Sequence, residues 1–151
     1  MTSDNGSSGS NGTLRVAAAQ INTTVGDIDG NERLIEKWIG LAEEQGADLV
    51  AFPELTITGY PPEDLVLYKN FIDANKAALN RIASGVGNIV AVVGFVDSED
   101  EGTKLFNAAA IIHNRKIVAT YRKIHLPNYG VFDERRYFTP GSECPVVSIR
   151  G

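Results

Sequence analysis

Residues 31–52, NERLIEKWIGLAEEQGADLVAF, have the pattern of a helix that leads into a buried strand. Asn31 is a typical helix cap, and Gly46 is a typical residue to end the helix at its C-terminus. Residues 49–52 are short and apolar, as expected of a strand covered on both faces. The apolar residues before Gly46 share one helical stripe: Leu34, Ile35, Trp38, Leu41 and Ala42. The stretch therefore predicts a helical crossover between strands, which is the building unit of an α/β fold.

Similar patterns extend to both sides of this unit. A second amphipathic helix is predicted at 67–84, and a hairpin turn at 113–115 follows a solvated acidic loop at 97–102. The order is β-α-β-α-β-β-β-loop-β. Two helical crossovers imply parallel pairing, and the hairpin adds antiparallel pairing. The predicted fold class is α/β, with a mixed sheet and flanking helices, and its further strands are 14–21, 89–96, 105–112, 116–122 and 146–149.

Composition excludes several classes of function. The chain has 151 residues, of which 43% are hydrophobic, so one globular domain or part of one is expected. With 14 basic and 19 acidic residues, the net charge of −5 gives no basic footprint for nucleic acid and no attraction to an anionic membrane. No apolar run reaches the roughly 18 residues of a membrane helix.

The two ends of the chain carry further information. Residues 1–13 are mostly Gly, Ser and Asn, which predicts a disordered leader or a cloning remnant before a domain at 14–151. Cys144 is the single cysteine, so neither an internal disulfide framework nor a multi-cysteine zinc site is possible. A reducing, cytoplasmic location fits this composition.

Two polar segments follow predicted strands. Glu54 lies just beyond strand 49–52, where open α/β sheets build their sites, and a carboxylate there is a candidate general base. A solvated loop acid or a helix cap would explain Glu54 equally well. Lys123 lies just beyond strand 116–122, and its ammonium could stabilise negative charge on a substrate oxygen. The alternative is an ordinary charged strand end.

Metal and nucleotide motifs are lacking. His113 and His125 have no second His or Cys at ligand spacing, so no metal site is predicted. The acidic run at 97–101 lacks the ligand spacing of a calcium loop. The sequence Gly-Val-Gly at 85–87 follows a helix and precedes a strand, which is the wrong context for a dinucleotide fingerprint.

Several segments together resemble the nitrilase superfamily of carbon–nitrogen hydrolases. They are AAQIN at 18–22, FPEL at 52–55 with TGY at 58–60, and YRKIHLP at 121–127. The longer runs GYPPEDL at 59–65 and LPNYGVFDER at 126–135 are similar to the glutaminase domains of glutamine-dependent NAD synthetases. The resemblance extends from about Leu14 to the end of the chain.

This resemblance implies the N-terminal part of an α-β-β-α sandwich, apparently truncated, with a Glu-Lys-Cys site. Glu54 matches the general base and Lys123 the lysine that stabilises the oxyanion, while Tyr129 and Glu134 match substrate-binding positions. The implied reaction is attack of a thiolate on the side-chain amide of glutamine, which gives a thioester and ammonia before hydrolysis. The glutaminase part needs no cofactor, and ATP and deamido-NAD belong to a synthetase domain absent from this chain.

The family's nucleophilic cysteine follows a later strand, so the resemblance places it beyond this chain. Cys144 precedes a predicted strand, and Pro145 removes an N–H that an oxyanion would need, so Cys144 is a poor candidate. The 151-residue chain alone is therefore expected to be catalytically silent.

Two other interpretations stay open. One is a different nitrilase-family amidase or carbamoylase. The other is a non-catalytic interaction module, in which Glu54 and Lys123 lie far apart or are buried among unrelated partners. A truncated sandwich also leaves an apolar sheet face exposed, which predicts a homo-oligomer or poor solubility.

Overall fold

A computed structural model describes residues 12–99 and 102–149 of the chain. Two α-helices pack on one five-stranded sheet, and a short 3-10 helix precedes the second of them. The elements in chain order are β1 Val16–Ala18, α1 Ile28–Glu44, β2 Leu49–Ala51, the 3-10 helix Glu63–Leu67, α2 Lys69–Gly85, β3 Val90–Glu99, β4 Lys104–His113, β5 Lys116–Arg122 and the 3-10 helix Glu134–Arg136.

The sheet is mixed, as predicted. Its strand order follows the chain from β1 to β5; β1, β2 and β3 pair in parallel, whereas β3, β4 and β5 pair antiparallel. The β4–β5 hairpin turns at Asn114 and Arg115, which both have positive φ, a backbone twist that suits a tight hairpin. The parallel half therefore brings the carboxyl ends of β1, β2 and β3 to one edge of the sheet.

Helix α1 differs from its prediction in its cap and in its buried face. Asp27, not Asn31, is the N-cap, and its side chain accepts a hydrogen bond from the Gly30 backbone N–H at 2.9 Å. Ile35 and Ile39 are buried, whereas Trp38 and Leu41 are exposed. The buried face of α1 is rotated relative to the predicted apolar stripe, because this face packs both on the sheet and on α2.

The buried side chain of Asn31 has a different task. Its amide donates to the backbone oxygens of Thr24 and Ile57 at 2.8 and 3.0 Å, and its oxygen accepts from the Thr24 N–H. Asn31 thereby connects two loops at the carboxyl edge of the sheet, whereas a helix cap would bond only to the first turn of α1.

The acidic loop begins later than predicted. Strand β3 continues through Asp97, Ser98 and Glu99, which pair with the first residues of β4. The guanidinium of Arg122 on β5 binds Asp97 and Glu99, so their negative charge is offset within the sheet. Residues 100–101 of the predicted loop lie outside the described residues.

The prediction of a strand at 146–149 is wrong. These residues form no strand, and the side chain of Val146 is 97% exposed. A short β-branched run has the composition of a strand, but composition alone does not make it pair. The leader predicted at 1–13 falls almost entirely outside the described residues. Within the described ranges, neither helix has the length and apolarity needed to cross a bilayer.

Candidate active site

Glu54 reaches the carboxyl edge of the sheet through a loop that lies against β3. The Phe52 N–H donates to the Val92 oxygen at 3.0 Å and the Ile57 N–H to the Gly94 oxygen at 3.2 Å, so the loop continues along the edge that β2 leaves at Ala51. A Cβ on Gly94 would lie 2.5 Å from the Leu55 nitrogen. Glycine at 94 therefore permits the close approach that places Glu54 over the sheet.

Lys123 is held by backbone contacts one residue beyond β5. Its N–H donates to the Asn107 oxygen at 2.8 Å, and its own oxygen accepts from the Gly141 N–H at 2.9 Å. The residue therefore lies between β4 and the returning chain, and its side chain starts from a fixed backbone.

The structure brings Glu54, Lys123 and Glu134 together. The Lys123 Nζ lies 2.6 Å from Glu54 Oε1 and 2.9 Å from Glu134 Oε1, which confirms the predicted proximity of Glu54 and Lys123. The side chain of Glu134 is only 7% exposed, compared with 25% for Lys123 and 42% for Glu54. One ammonium thus bridges an accessible carboxylate and a buried one.

The two carboxylates change the ionisation of their neighbours. Burial alone would lower the pKa of Lys123, but the hydrogen bonds and negative charges of Glu54 and Glu134 outweigh it, so this pKa is raised. The pKa of the Tyr60 phenol is also raised, first by burial and then by the charges of Glu134 and Glu54. Lys123 therefore remains an ammonium and Tyr60 a neutral phenol at neutral pH.

Asn107 is a member of this cluster that sequence reasoning missed. It lies on β4, and its Nδ2 is 2.5 Å from Glu54 Oε1 and 3.5 Å from Glu134 Oε2. The sequence does contain a signal for Asn107, because it is the one polar residue of the apolar run LFNAAAII at 105–112. A buried amide in such a strand needs hydrogen-bond partners, and here the partners are carboxylates.

Two neighbouring cavities adjoin the cluster. A cavity of about 290 Å³ is lined by Glu54, Asn107 and Lys123, with Tyr121 and strand residues of β3 and β4. A second cavity, of about 580 Å³, is lined by Glu134 and Tyr60. A larger cavity of about 880 Å³ lies at the opposite ends of β2 and β3, among residues such as Asp48 and His113, and contains none of the clustered groups.

Tyr129 and Cys144 lie outside the cluster. Tyr129 is 71% exposed, its ring packs edge to face on Phe132 at 5.6 Å, and it lines a groove that also contains His125. The substrate-binding role of Tyr129 stays a prediction. Cys144 is exposed, has a free thiol and lines neither of the two cavities. Within residues 12–99 and 102–149, no three His, Cys, Asp or Glu side chains are grouped closely enough to hold a metal ion.

Comparison with known proteins identifies the family. The family model of carbon-nitrogen hydrolases matches residues 15–151. The chain belongs to the carbon-nitrogen hydrolase family. Over 138 residues this carbon-nitrogen hydrolase chain is 47% identical to a glutamine-dependent NAD(+) synthetase of Thermotoga maritima, an alignment that covers 90% of this chain and 23% of the relative.

Solved structures confirm the fold of the carbon-nitrogen hydrolase chain. A glutamine-dependent NAD+ synthetase of Acinetobacter baumannii superposes with a TM-score of 0.86 at 39% identity, covering 91% of this chain and 26% of that one. An amidase of Nesterenkonia sp. superposes with a TM-score of 0.75 at 29% identity, covering 89% and 51%. The chain spans about a quarter of the length of the two synthetases, 23% and 26%.

Proposed function

We propose that the protein containing this chain hydrolyses the side-chain amide of glutamine and that the chain supplies the acid–base and electrostatic groups of the site. The observation that carries the proposal is the Lys123 ammonium between Glu54 and Glu134, at 2.6 and 2.9 Å. These groups lie at the carboxyl edge of a sheet in a chain 47% identical to a glutamine-dependent synthetase.

The proposed chemistry follows from the charges of the cluster. Glu54 takes the proton of a cysteine thiol outside this chain, and the thiolate attacks the amide carbon. Lys123 stabilises the oxyanion of the tetrahedral intermediate. Protonated Glu54 then returns its proton to the departing ammonia, which leaves a thioester. Glu54 finally takes a proton from water, and hydroxide attack on the thioester releases glutamate and the thiol.

Glu134 and Tyr129 are proposed to contact the substrate. Glu134 lines the cavity of about 580 Å³ next to the cluster, which is a place for the amino-acid part of glutamine. Tyr129 is 71% exposed, so its ring is accessible to a substrate.

The proposed partners follow from the relatives. The hydrolysis needs no cofactor, since a thiolate, a carboxylate and an ammonium supply all its steps. The ammonia would pass to a synthetase domain outside this chain, which would use ATP and deamido-NAD. We propose a reducing, cytoplasmic location, which a chain with a single cysteine and no internal disulfide is compatible with.

A second candidate function is the hydrolysis of another amide or a carbamoyl compound. The superposition with the Nesterenkonia amidase favours it, because the same fold carries that activity. A panel of glutamine, aliphatic amides and N-carbamoyl compounds separates the two candidates by the preferred substrate. The third interpretation, a non-catalytic module, expected Glu54 and Lys123 to lie far apart or to be buried among unrelated partners, and their 2.6 Å contact with each other argues against it.

The proposal is tested by ammonia release from glutamine by the intact gene product that contains this chain. We expect Glu54→Gln to lower kcat/KM about 10³-fold, because the amide keeps the shape of the side chain but cannot accept the thiol proton. The circular dichroism spectrum should be unchanged.

Glu36→Gln is the matched control, since Glu36 is an exposed acid on α1, and this variant should keep the wild-type rate. The isolated 151-residue chain should release no ammonia. Full activity of Glu54→Gln, or activity of the isolated chain, would contradict the proposal.

A further inference from the structure

The two carboxylate oxygens of Glu54 have different surroundings. Oε1 accepts hydrogen bonds from the Lys123 Nζ at 2.6 Å and from the Asn107 Nδ2 at 2.5 Å. No hydrogen bond to Oε2 is found within the described parts of the chain. The side chain is 42% exposed, and Oε2 is the oxygen to which no described donor is bonded.

Asn107 is placed rigidly enough to hold Oε1. It is almost completely buried on β4, where it pairs with Val96 of β3, and its backbone oxygen accepts from the Lys123 N–H. The pairing fixes the direction of the Cβ, and the almost complete burial of Asn107 restricts the rotamers open to its amide. By comparison, the flexible side chain of Lys123 could follow either carboxylate.

The charge of the cluster formed by Glu54, Lys123 and Glu134 explains why a neutral hydrogen-bond donor occupies position 107. Two carboxylates share one ammonium, so the cluster carries a net negative charge. The single charge of Lys123 cannot neutralise both carboxylates. The Asn107 amide donates to Glu54 and lies 3.5 Å from Glu134 Oε2, so it connects the same pair of acids as Lys123. A neutral amide holds the carboxylates in place without removing the charge that a base needs.

We propose that Asn107 is a positioning residue of the hydrolysis: its amide fixes Oε1 of Glu54 and thereby makes Oε2 the oxygen that exchanges protons with the thiol, the leaving amine and water. This inference rests on the proposed function. It assigns a role within the site to a residue of β4 that does not itself touch the reacting atoms.

The test compares Asn107→Asp and Asn107→Ser with the wild type in the intact gene product. Aspartate keeps the shape but replaces the donor by a third negative charge, and serine removes the amide. We expect kcat to fall by up to about 100-fold in Asn107→Asp and by a smaller factor in Asn107→Ser, because a misplaced base loses its attack geometry. KM should change far less than kcat.

The pH–rate profile distinguishes a positioning role of Asn107 from a purely structural one, because a purely structural role would leave the profile unchanged. The acid limb of kcat should move up by about one pH unit in both variants, because the charged form of the base loses a donor. Asn75→Ser is the matched control: Asn75 is also buried and bonds the Val96 backbone but no group of the cluster, so its loss should lower the melting temperature but leave the acid limb of the pH profile unchanged.

The outcomes separate this inference from the proposed function. A wild-type protein without glutaminase activity would overturn both. An active wild type, with Asn107→Asp or Asn107→Ser at the same kcat and with the same acid limb, would overturn only the role of Asn107. If Asn107→Asp does not fold, Asn107→Ser decides in the same way.

Discussion

Lys123 carries one positive charge that two carboxylates share. Its Nζ contacts Glu54 at 2.6 Å and Glu134 at 2.9 Å, and these contacts raise its pKa although burial acts in the opposite direction. For the proposed mechanism the consequence is direct, because an ammonium that keeps its proton can stabilise an oxyanion across the working pH range.

The ionisation of Lys123 can be measured from the chemical shift of its 13Cε carbon during a pH titration. The midpoint should lie above 10.5, the ordinary value for lysine, and should fall below it in the double variant Glu54→Gln/Glu134→Gln, where only burial remains. Glu36→Gln should leave the midpoint unchanged. A wild-type midpoint below 10.5 would show that the two acids do not hold the ammonium.

The same shift has a consequence for stability. Because the pKa of Lys123 is higher in the folded than in the unfolded chain, the stability that its charge contributes is complete below about pH 10.5 and is lost as the pH rises through the folded-state value.

At the scale of elements, the site depends on how closely the loop at 53–55 approaches β3. Gly94 makes this approach possible, since a Cβ there would lie 2.5 Å from the Leu55 nitrogen and 2.6 Å from the Pro53 oxygen. Leu55 itself is fully buried in a small apolar cluster with Val96 and Leu105, so the loop cannot simply move outward.

Gly94→Ala should therefore lower the free energy of unfolding by about 1–3 kcal/mol, because an added methyl group in a packed site forces backbone shifts. The displaced loop should also reduce kcat/KM of the intact gene product. Gly40→Ala is the control, because a Cβ at Gly40 on α1 meets nothing within 4 Å. That variant should be more stable by about 1 kcal/mol through helix propensity. Chemical denaturation measures both changes, and equal effects of the two substitutions would contradict this reading of Gly94.

At the scale of the whole molecule, the large apolar core lies between the helices and one face of the sheet, where residues such as Ile35, Val93 and Ala110 are fully buried. The outer strands are less well covered. Within the described residues the outer edges of β1 and β5 pair with no strand, and Val16 and Val118 on these strands are exposed. Unpaired edges with apolar side chains favour association with another chain.

We therefore expect the isolated 151-residue chain to self-associate, as the sequence analysis also predicted. Val118→Lys should reduce the association, because it places a charge on the exposed edge strand. Val146→Lys changes an exposed valine outside the sheet and should leave association unchanged. Sedimentation velocity at several concentrations measures both variants. A wild-type chain that stays monomeric at high concentration would refute the prediction.

The sequence by itself determined the features that depend on neighbouring residues along the chain. Strand β5 was predicted at 116–122, the bounds that the structure shows, and the hairpin turn predicted at 113–115 lies at 114–115, since His113 ends β4. Both follow from local composition and turn chemistry, which act over a few residues. Glu54 and Lys123 could be proposed for a similar reason, since each directly follows a predicted strand.

Only the tertiary structure decided the contacts between distant parts of the chain. Glu54 meets Asn107 across 53 positions and Lys123 across 69, so no local pattern shows which oxygen each donor binds. The same holds for Trp38, which belongs to an apolar stripe but faces outward, and for 146–149, which has strand composition but forms no strand. Burial and pairing require a partner surface, and the position of that surface is settled only when the whole chain folds.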